Sequence, residues 1–194
     1  MVGVLVSVII PVFNGVELLW EQLDALAGQQ FAGTWEVIIA DNGSTDAETA
    51  IAFAHFATVL ALTVIDASGR RGAAHARNVG AAHARGELLA FCDSDDVVEP
   101  DWLQNLVAQA HDHDLVAGAL DFETLNAGIP LPEYWKRPPV ALARKLGFLP
   151  SGPAGNLLVR RDAFDRLGGF TEGFGACEDV DFYWRAQLAG LRVG

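Results

Sequence analysis

Three carboxylates, Asp93, Asp95 and Asp96, are separated only by Ser94 and close the apolar run Leu88, Leu89, Ala90, Phe91 and Cys92. Like charges this close repel one another unless a cation sits among them, and oxygen donors select hard ions such as Mg²⁺ or Mn²⁺. A short apolar run of this kind reads as a strand buried on both faces of a parallel sheet, and ligands of such sheets bind outside the strands' carboxyl ends. The bland alternative is a solvated acidic turn leading into a helix begun by Glu99, Pro100 and Asp101. A second acidic group, Glu178, Asp179 and Asp181, opens a later stretch with helical spacing. Carboxylates there either complement a helix dipole or hold a general base. Upstream of both groups, Gly69, Arg70, Arg71 and Gly72 form a basic loop ahead of an Ala-rich helix that carries Arg77. Free amides at that helix start, together with the guanidinium groups of Arg70, Arg71 and Arg77, would suit a phosphate.

These residues need elements to hold them. Val4–Val12 is a Val- and Ile-rich strand, and Val16, Leu19, Trp20, Leu23, Leu26 and Ala27 follow at helical spacing, with Asn14 and Glu17 as a capping-box-like start and Gly28 as the stop. Trp35–Ala40 is a second strand. It runs into Asp41, Asn42, Gly43, Ser44, Thr45 and Asp46, after which Thr45 and Glu48 are placed to cap a helix ending near His55. Val59–Asp66 is a third strand, and Asp114–Phe122 another, beyond a helix bearing Trp102, Leu103 and Leu106. His75 and His83 stand about 80° apart on a helix and read as packing residues, not a ligand pair. Between Glu123 and Pro150 the periodicity is lost around Tyr134, Trp135, Lys136 and Arg137. Such a stretch suits a cover over a site, with Trp135 as a stacking face for a sugar or simply as a packing residue. Ser151–Arg161 reads as a turn and short strand, and the acidic helix has Val180, Trp184 and Leu188 as its inward face. Alternating strands and helices imply an α/β fold with a mostly parallel central sheet and helices on both faces.

The composition narrows the class further. At 194 residues, 51% hydrophobic and 20% charged, the chain suits one domain over 1–194. A net charge of −12 opposes a nucleic-acid surface, so an anionic ligand must be met by a local basic cluster. The 2 cysteines, Cys92 and Cys177, lack zinc-ligand spacing and fit a reducing cytoplasm. The apolar opening to Phe13 is too short to span a bilayer and lacks the features of a signal peptide, which leaves a cytoplasmic protein with room for peripheral association at the inner face of a membrane.

Four stretches then match one pattern in order: VSVIIPVFN (Val6 to Asn14), ADNGSTD (Ala40 to Asp46), ARNVG with GELLAFCDSDD (Ala76 to Asp96), and LGGF with EDVDFYWR (Leu167 to Arg185). In these the chain resembles the family 2 glycosyltransferases with the GT-A fold, a Rossmann-like nucleotide-diphospho-sugar transferase architecture. The resemblance implies that Pro11 and Phe13 border the nucleotide and that Asp41 or Asn42 contacts its base, with Asn14 and Ser94 also on the donor side. It matches Asp93 and Asp95 to the family's Asp-any-Asp motif, Asp95 holding the metal on the diphosphate and Asp93 supporting the ribose or the metal. Asp179 falls at the family's catalytic base, with Glu178 beside it. Two departures stand out. Many members have two successive aspartates where this chain has Asp41 and Asn42, and members continue well past the acidic helix.

The function so implied is metal-dependent, inverting transfer of a sugar from a UDP, GDP or dTDP donor to a hydroxyl of a glycan, lipid or small molecule, as in bacterial cell-wall or polysaccharide synthesis. Two other classes compete: an inactive nucleotide-sugar-binding module, favoured by the short C-terminal side, and a nucleotidyltransferase, which gives no reason for Glu178 and Asp179. The short ending also leads to an expectation of nucleotide binding with little turnover.

Overall fold

The computed structural model describes residues 5–131, 142–144, 147–174 and 176–194. The aromatic and basic cluster from Tyr134 to Arg137, including the role considered for Trp135, lies outside the described residues. The apolar runs pair as expected: β1 (Val6–Val12), β2 (Trp35–Asp41), β3 (Leu62–Asp66) and β4 (Leu88–Cys92) are parallel, in the order β3-β2-β1-β4. Beyond β4, β8 (Asn156–Arg160) runs antiparallel both to β4 and to β5 (Leu115–Ala117), completing a six-stranded sheet. A separate antiparallel pair is formed by β6 (Ala143–Arg144) and β7 (Pro150–Ser151).

Helices cover both faces, because successive side chains of a strand point to opposite sides. Val6, Val8, Ile10 and Val12 meet Leu19, Leu23 and Leu26 of α1 (Val16–Ala27), Phe56 of α2 (Ala47–Phe56) and Leu103 and Leu106 of α4 (Trp102–Gln109). Ile9, Ile38, Leu89 and Phe91 face the other way, toward Ala74 and Ala81 of α3 (Ala73–His83), Phe164 of α5 (Arg161–Leu167) and Phe182, Tyr183 and Ala186 of α6 (Glu178–Leu188). Each large apolar side chain so buried contributes about 1.5–3 kcal/mol. On the second face Phe170 stands edge-on to Phe91 at 5.3 Å between centroids and lies 4.6 Å from Phe182, so α6 is seated on β4 through aromatic contacts.

Near the amino ends of β1 and β2, Ser7 Oγ donates to Glu36 Oε1 at 2.7 Å, and the Arg85 backbone amide and Nε donate to the same carboxylate at 2.8 Å each. Burial pushes the Glu36 carboxyl up, but the bonds from Arg85 and Ser7 more than offset this and hold it below its usual range. The staple fixes the turn into β4. Gly86 is required there, since a Cβ would come within 2.6 Å of the Ser7 backbone nitrogen.

Several local expectations shift. Asn14 does not cap α1: it is itself left-handed at φ 57°, and Gly15 takes the N-cap. Asp46, not Thr45, caps α2, accepting from the Thr49 amide at 2.7 Å. β3 starts three residues later than expected, and β5 stops at Ala117, with the Gly118 amide making one more bond to the Asn156 carbonyl at 2.8 Å before residues 119–122 leave the sheet. The inward face of α6 is Val180, Phe182, Tyr183 and Ala186, whereas Leu188 is 71% exposed. Steps of four residues drift about 40° each on a helix, so a stripe counted as 180, 184 and 188 rotates off the core.

Candidate active site

The carboxyl ends of β1, β2 and β4 open on a cleft of about 700 Å³ lined by Pro11, Phe13, Asn14, Asn42, Arg71, Arg77, Asp93, Ser94 and Asp95, with Gly72 and Ala73 at the start of α3. Sequence reasoning named all of these except Ala73 for the donor or its metal. Asp41, Arg70, Glu178 and Asp179 lie outside that lining. A second cleft, about 800 Å³, lies between α4 and residues 116–125; it carries Asp96, Glu99, Asp101, Asp121 and Glu123, and among the described residues no Lys or Arg lines it. For an anionic ligand the first cleft is the better electrostatic match.

Its nucleotide-side wall is built by hydrogen bonds between loops. Asn14 donates its backbone amide to Ser44 Oγ at 2.9 Å and accepts from the Thr45 amide through Oδ1 at 2.8 Å, which joins the loops after β1 and β2. Asp41 Oδ1 accepts from the Ser44 amide at 2.8 Å. Asn42, only 6% exposed, donates Nδ2 to the carbonyls of Ala67 and Arg70 at 2.6 and 2.7 Å and accepts from the Gly72 amide at 2.9 Å. Its carboxamide is thereby committed to the basic loop. Gly72 has φ 128°, a conformation open to glycine, and α3 starts immediately after it with its amides toward the cleft.

The three arginines part company. Arg71 lies over the exposed Phe13 ring at 4.1 Å from its centroid while Nη1 donates to the Asn42 carbonyl at 2.9 Å, making a flat cationic shelf. Arg70 turns away to Glu172 at 3.3 Å. Arg77 is 4% exposed; Nη2 donates to Asp93 Oδ1 at 2.6 Å and Nη1 to Glu178 Oε1 at 3.0 Å. It joins the Asp93 and Glu178 carboxylates through its two terminal nitrogens.

On the acidic side, Gln22 Nε2 donates to the Asp93 carbonyl and Gln22 Oε1 accepts from the Val98 amide, both at 3.1 Å, which pins the turn carrying the carboxylates. Burial, then the charges of Asp93 and Asp95, push Asp96 up to about 6. Asp95 is exposed, with no ion pair or hydrogen bond among the described residues. Asp179 sits half-buried in the first turn of α6 and accepts from the Val180 amide at 2.7 Å. One turn on, the Tyr183 hydroxyl is buried without a partner among the described residues, and burial followed by the charge of Asp179 pushes it up.

Sequence reasoning missed Gln22 and Glu172. Gln22 was visible as a lone polar residue within the stripe Leu19, Leu23 and Leu26. Glu172 accepts from Asn78 at 3.1 Å and lies 3.1 Å from His75 Nδ1, so His75 belongs to a hydrogen-bonded cluster around Glu172 and not to simple packing.

Among the described residues no group of three or more His, Cys, Asp or Glu is arranged to hold a metal ion. A divalent ion still fits. Asp95 offers an exposed hard oxygen donor near Asp93, and Mg²⁺-type ions are commonly held by one or two carboxylates plus substrate phosphates and water.

A mostly parallel sheet with a basic glycine-bearing loop and strand-end carboxylates at one rim is an α/β domain with a cleft suited to an anionic ligand, and comparison makes the family specific. Residues 7–168 match the glycosyl transferase family 2 profile, and the chain belongs to that family. It is 30% identical over 191 residues to glycosyltransferase AglE of Haloferax volcanii, covering 97% of this chain and 63% of the relative. It is 29% identical over 203 residues to the pre-mycofactocin glycosyltransferase of Mycobacterium tuberculosis, covering 97% of this chain and 40% of the relative. Among solved structures, the mannosyltransferase PcManGT of Pyrobaculum calidifontis, in complex with GDP-Man and Mn²⁺, superposes with a TM-score of 0.77 at 29% identity, covering 97% of this chain and 53% of that one. S. aureus TarS 1-349 with UDP-GlcNAc gives 0.74 at 25% identity, covering 97% and 55%. The chain thus spans less than two thirds of the length of each of these proteins. No helix among the described residues is long and apolar enough to cross a membrane.

Proposed function

We propose that the protein is an inverting glycosyltransferase, moving a sugar from a nucleoside-diphosphate donor to an acceptor hydroxyl with Mn²⁺ or Mg²⁺ bound. The observation that supports this best is one guanidinium, Arg77, joining the strand-end carboxylate Asp93 to the acidic start of α6. It puts a donor-holding group and a candidate base in one constellation, which a nucleotide-binding fold alone does not need.

In this reading Phe13 and Arg71 form the shelf for the nucleoside, Asp41 contacts the base, and the α3 amides receive phosphate oxygens. Asp95, with Asp93, would hold the ion, which supplies neutralisation of charge on the departing diphosphate. Asp179 takes the proton of the acceptor hydroxyl as its oxygen bonds to the anomeric carbon. The bond from that carbon to the diphosphate breaks, with both electrons leaving on phosphate oxygen. Attack from the face opposite the leaving group inverts the centre. PcManGT and TarS carry GDP-Man and UDP-GlcNAc, which makes GDP and UDP donors the first to test here.

The test is calorimetry of UDP, GDP and dTDP and their sugars with and without Mn²⁺, run beside a product assay on mixed acceptors. Metal-dependent affinity for one base with sugar transfer is expected. Binding without transfer would favour a sensing or scaffolding module; no nucleotide binding would overturn the reading.

A further inference from the structure

We propose that Arg77 is a positioning residue that sets the spacing between the donor carboxylates and the acidic start of α6, an inference that rests on the function proposed above. Its side chain crosses from α3 beneath the cleft. Nη2 meets Asp93 Oδ1 at 2.6 Å and Nη1 meets Glu178 Oε1 at 3.0 Å, partners 16 and 101 positions away in the chain. The Arg77 side chain is 4% exposed, against 34% for Asp93 and 19% for Glu178, so the cation is the most deeply held member of the triad. Phe170 carries it from behind, with the guanidinium carbon 5.7 Å from the ring centroid.

A phosphate ligand would present a nitrogen to the cleft. Here each terminal nitrogen already donates to a carboxylate, and Nε is buried with no partner among the described residues. A buried donor left unpaired is uncommon and carries a cost, which fits a side chain held for what its far end spans. The planar fork suits that task because it grips two carboxylates at a fixed angle, whereas an ammonium is a single point charge. Two consequences follow. Arg77 neutralises Asp93, so that Asp95 stands in the cleft beside a carboxylate whose charge is already paired. It also ties the first residue of α6 to β4, so that Asp179, next in the chain, is registered against the donor.

The experiment compares the wild-type chain with Arg77→Lys and Arg77→Met in three readings. These are Mn²⁺ affinity without nucleotide, by electron paramagnetic resonance; affinity for UDP and GDP in Mn²⁺; and release of diphosphate from UDP-GlcNAc and GDP-mannose with mixed acceptors. Arg77→Lys keeps the charge but cannot span both carboxylates. Its turnover should fall by about a hundredfold, the scale of a misplaced catalytic group, while Mn²⁺ and nucleotide affinities change little. Arg77→Met should bind Mn²⁺ several-fold more tightly than wild type, because Asp93 regains its full charge, while turnover falls. A purely structural role would lower every reading together and overturn the proposal. So would a loss of more than about tenfold in nucleotide affinity with Mn²⁺ binding unchanged, the mark of a phosphate ligand, or wild-type turnover in Arg77→Lys. If Arg77→Met does not fold, the Arg77→Lys readings decide. Mn²⁺ binding is read on the chain alone, so a wild type that transfers no sugar would count against the proposed function and leave this test standing.

Discussion

The Asn42 carboxamide accepts from the Gly72 amide at 2.9 Å, binding the end of β2 to the residue that starts α3. With its two donations to the Ala67 and Arg70 carbonyls, one buried side chain holds the whole basic loop in place. We expect Asn42→Ala to cost about 2 kcal/mol or more, since it strands buried polar partners, and to weaken nucleotide binding as the loop loosens. Urea unfolding and calorimetry check this; unchanged stability would mean that the loop is held by other contacts.

Asp95→Asn should abolish the metal dependence of nucleoside-diphosphate binding. The carboxamide keeps the size of the side chain and loses the charge that meets the ion. Titration with and without EDTA gives the answer, and equal affinity in wild type under both conditions would remove Asp95 from a metal site.

Asp179→Asn should bind donor normally and lose transfer by roughly a hundred- to ten-thousand-fold, the usual span for loss of a general base. Steady-state rates beside donor affinity separate the two effects. Near-normal turnover would move the base to Glu178 or Asp181.

Glu36 gives a prediction about pH. Its folded-state carboxyl lies below its ordinary value of 4.5, so it contributes stability that is present above that value and lost as pH falls below it. Glu36→Gln should therefore be less stable than wild type at neutral pH, and the gap should close as the solution is acidified. Denaturation midpoints from neutral pH down to about pH 3 test it. A gap that does not depend on pH would show that the carboxylate's charge is not what Arg85 and Ser7 stabilise.

Much of this fold was legible because burial wrote it into the residue types. Leu88–Cys92 is apolar throughout and is buried on both faces, and the carboxylates that end it do lie at the open rim. Local chemistry was less readable. Asn14 has the composition of a cap, yet its left-handed backbone turns the side chain across to Thr45, a choice made by the neighbouring loop. Arg77 looked like a phosphate donor by its place after a glycine-bearing loop. Its partners come from β4 and α6, and no spacing within its own helix announces them.

The reversed strand β8 bears on how the chain assembles. β1, β2 and β3 join through short βα crossovers, so their contacts close small loops. Pairing Cys92 with Asn156 closes a far longer one, and the entropy of closure rises with loop length. The half built on β1, β2 and β3 can thus gain its order early, while β4 and β8, whose pairings close longer loops, and α6 packed behind them join later and bring Glu178 within reach of Arg77. In pulse-labelled hydrogen exchange during refolding, amides of β1 and β2 should be protected ahead of those of β8. The acidic constellation would then be the final part of the molecule to exist, assembled only once the donor half is already in place to receive it.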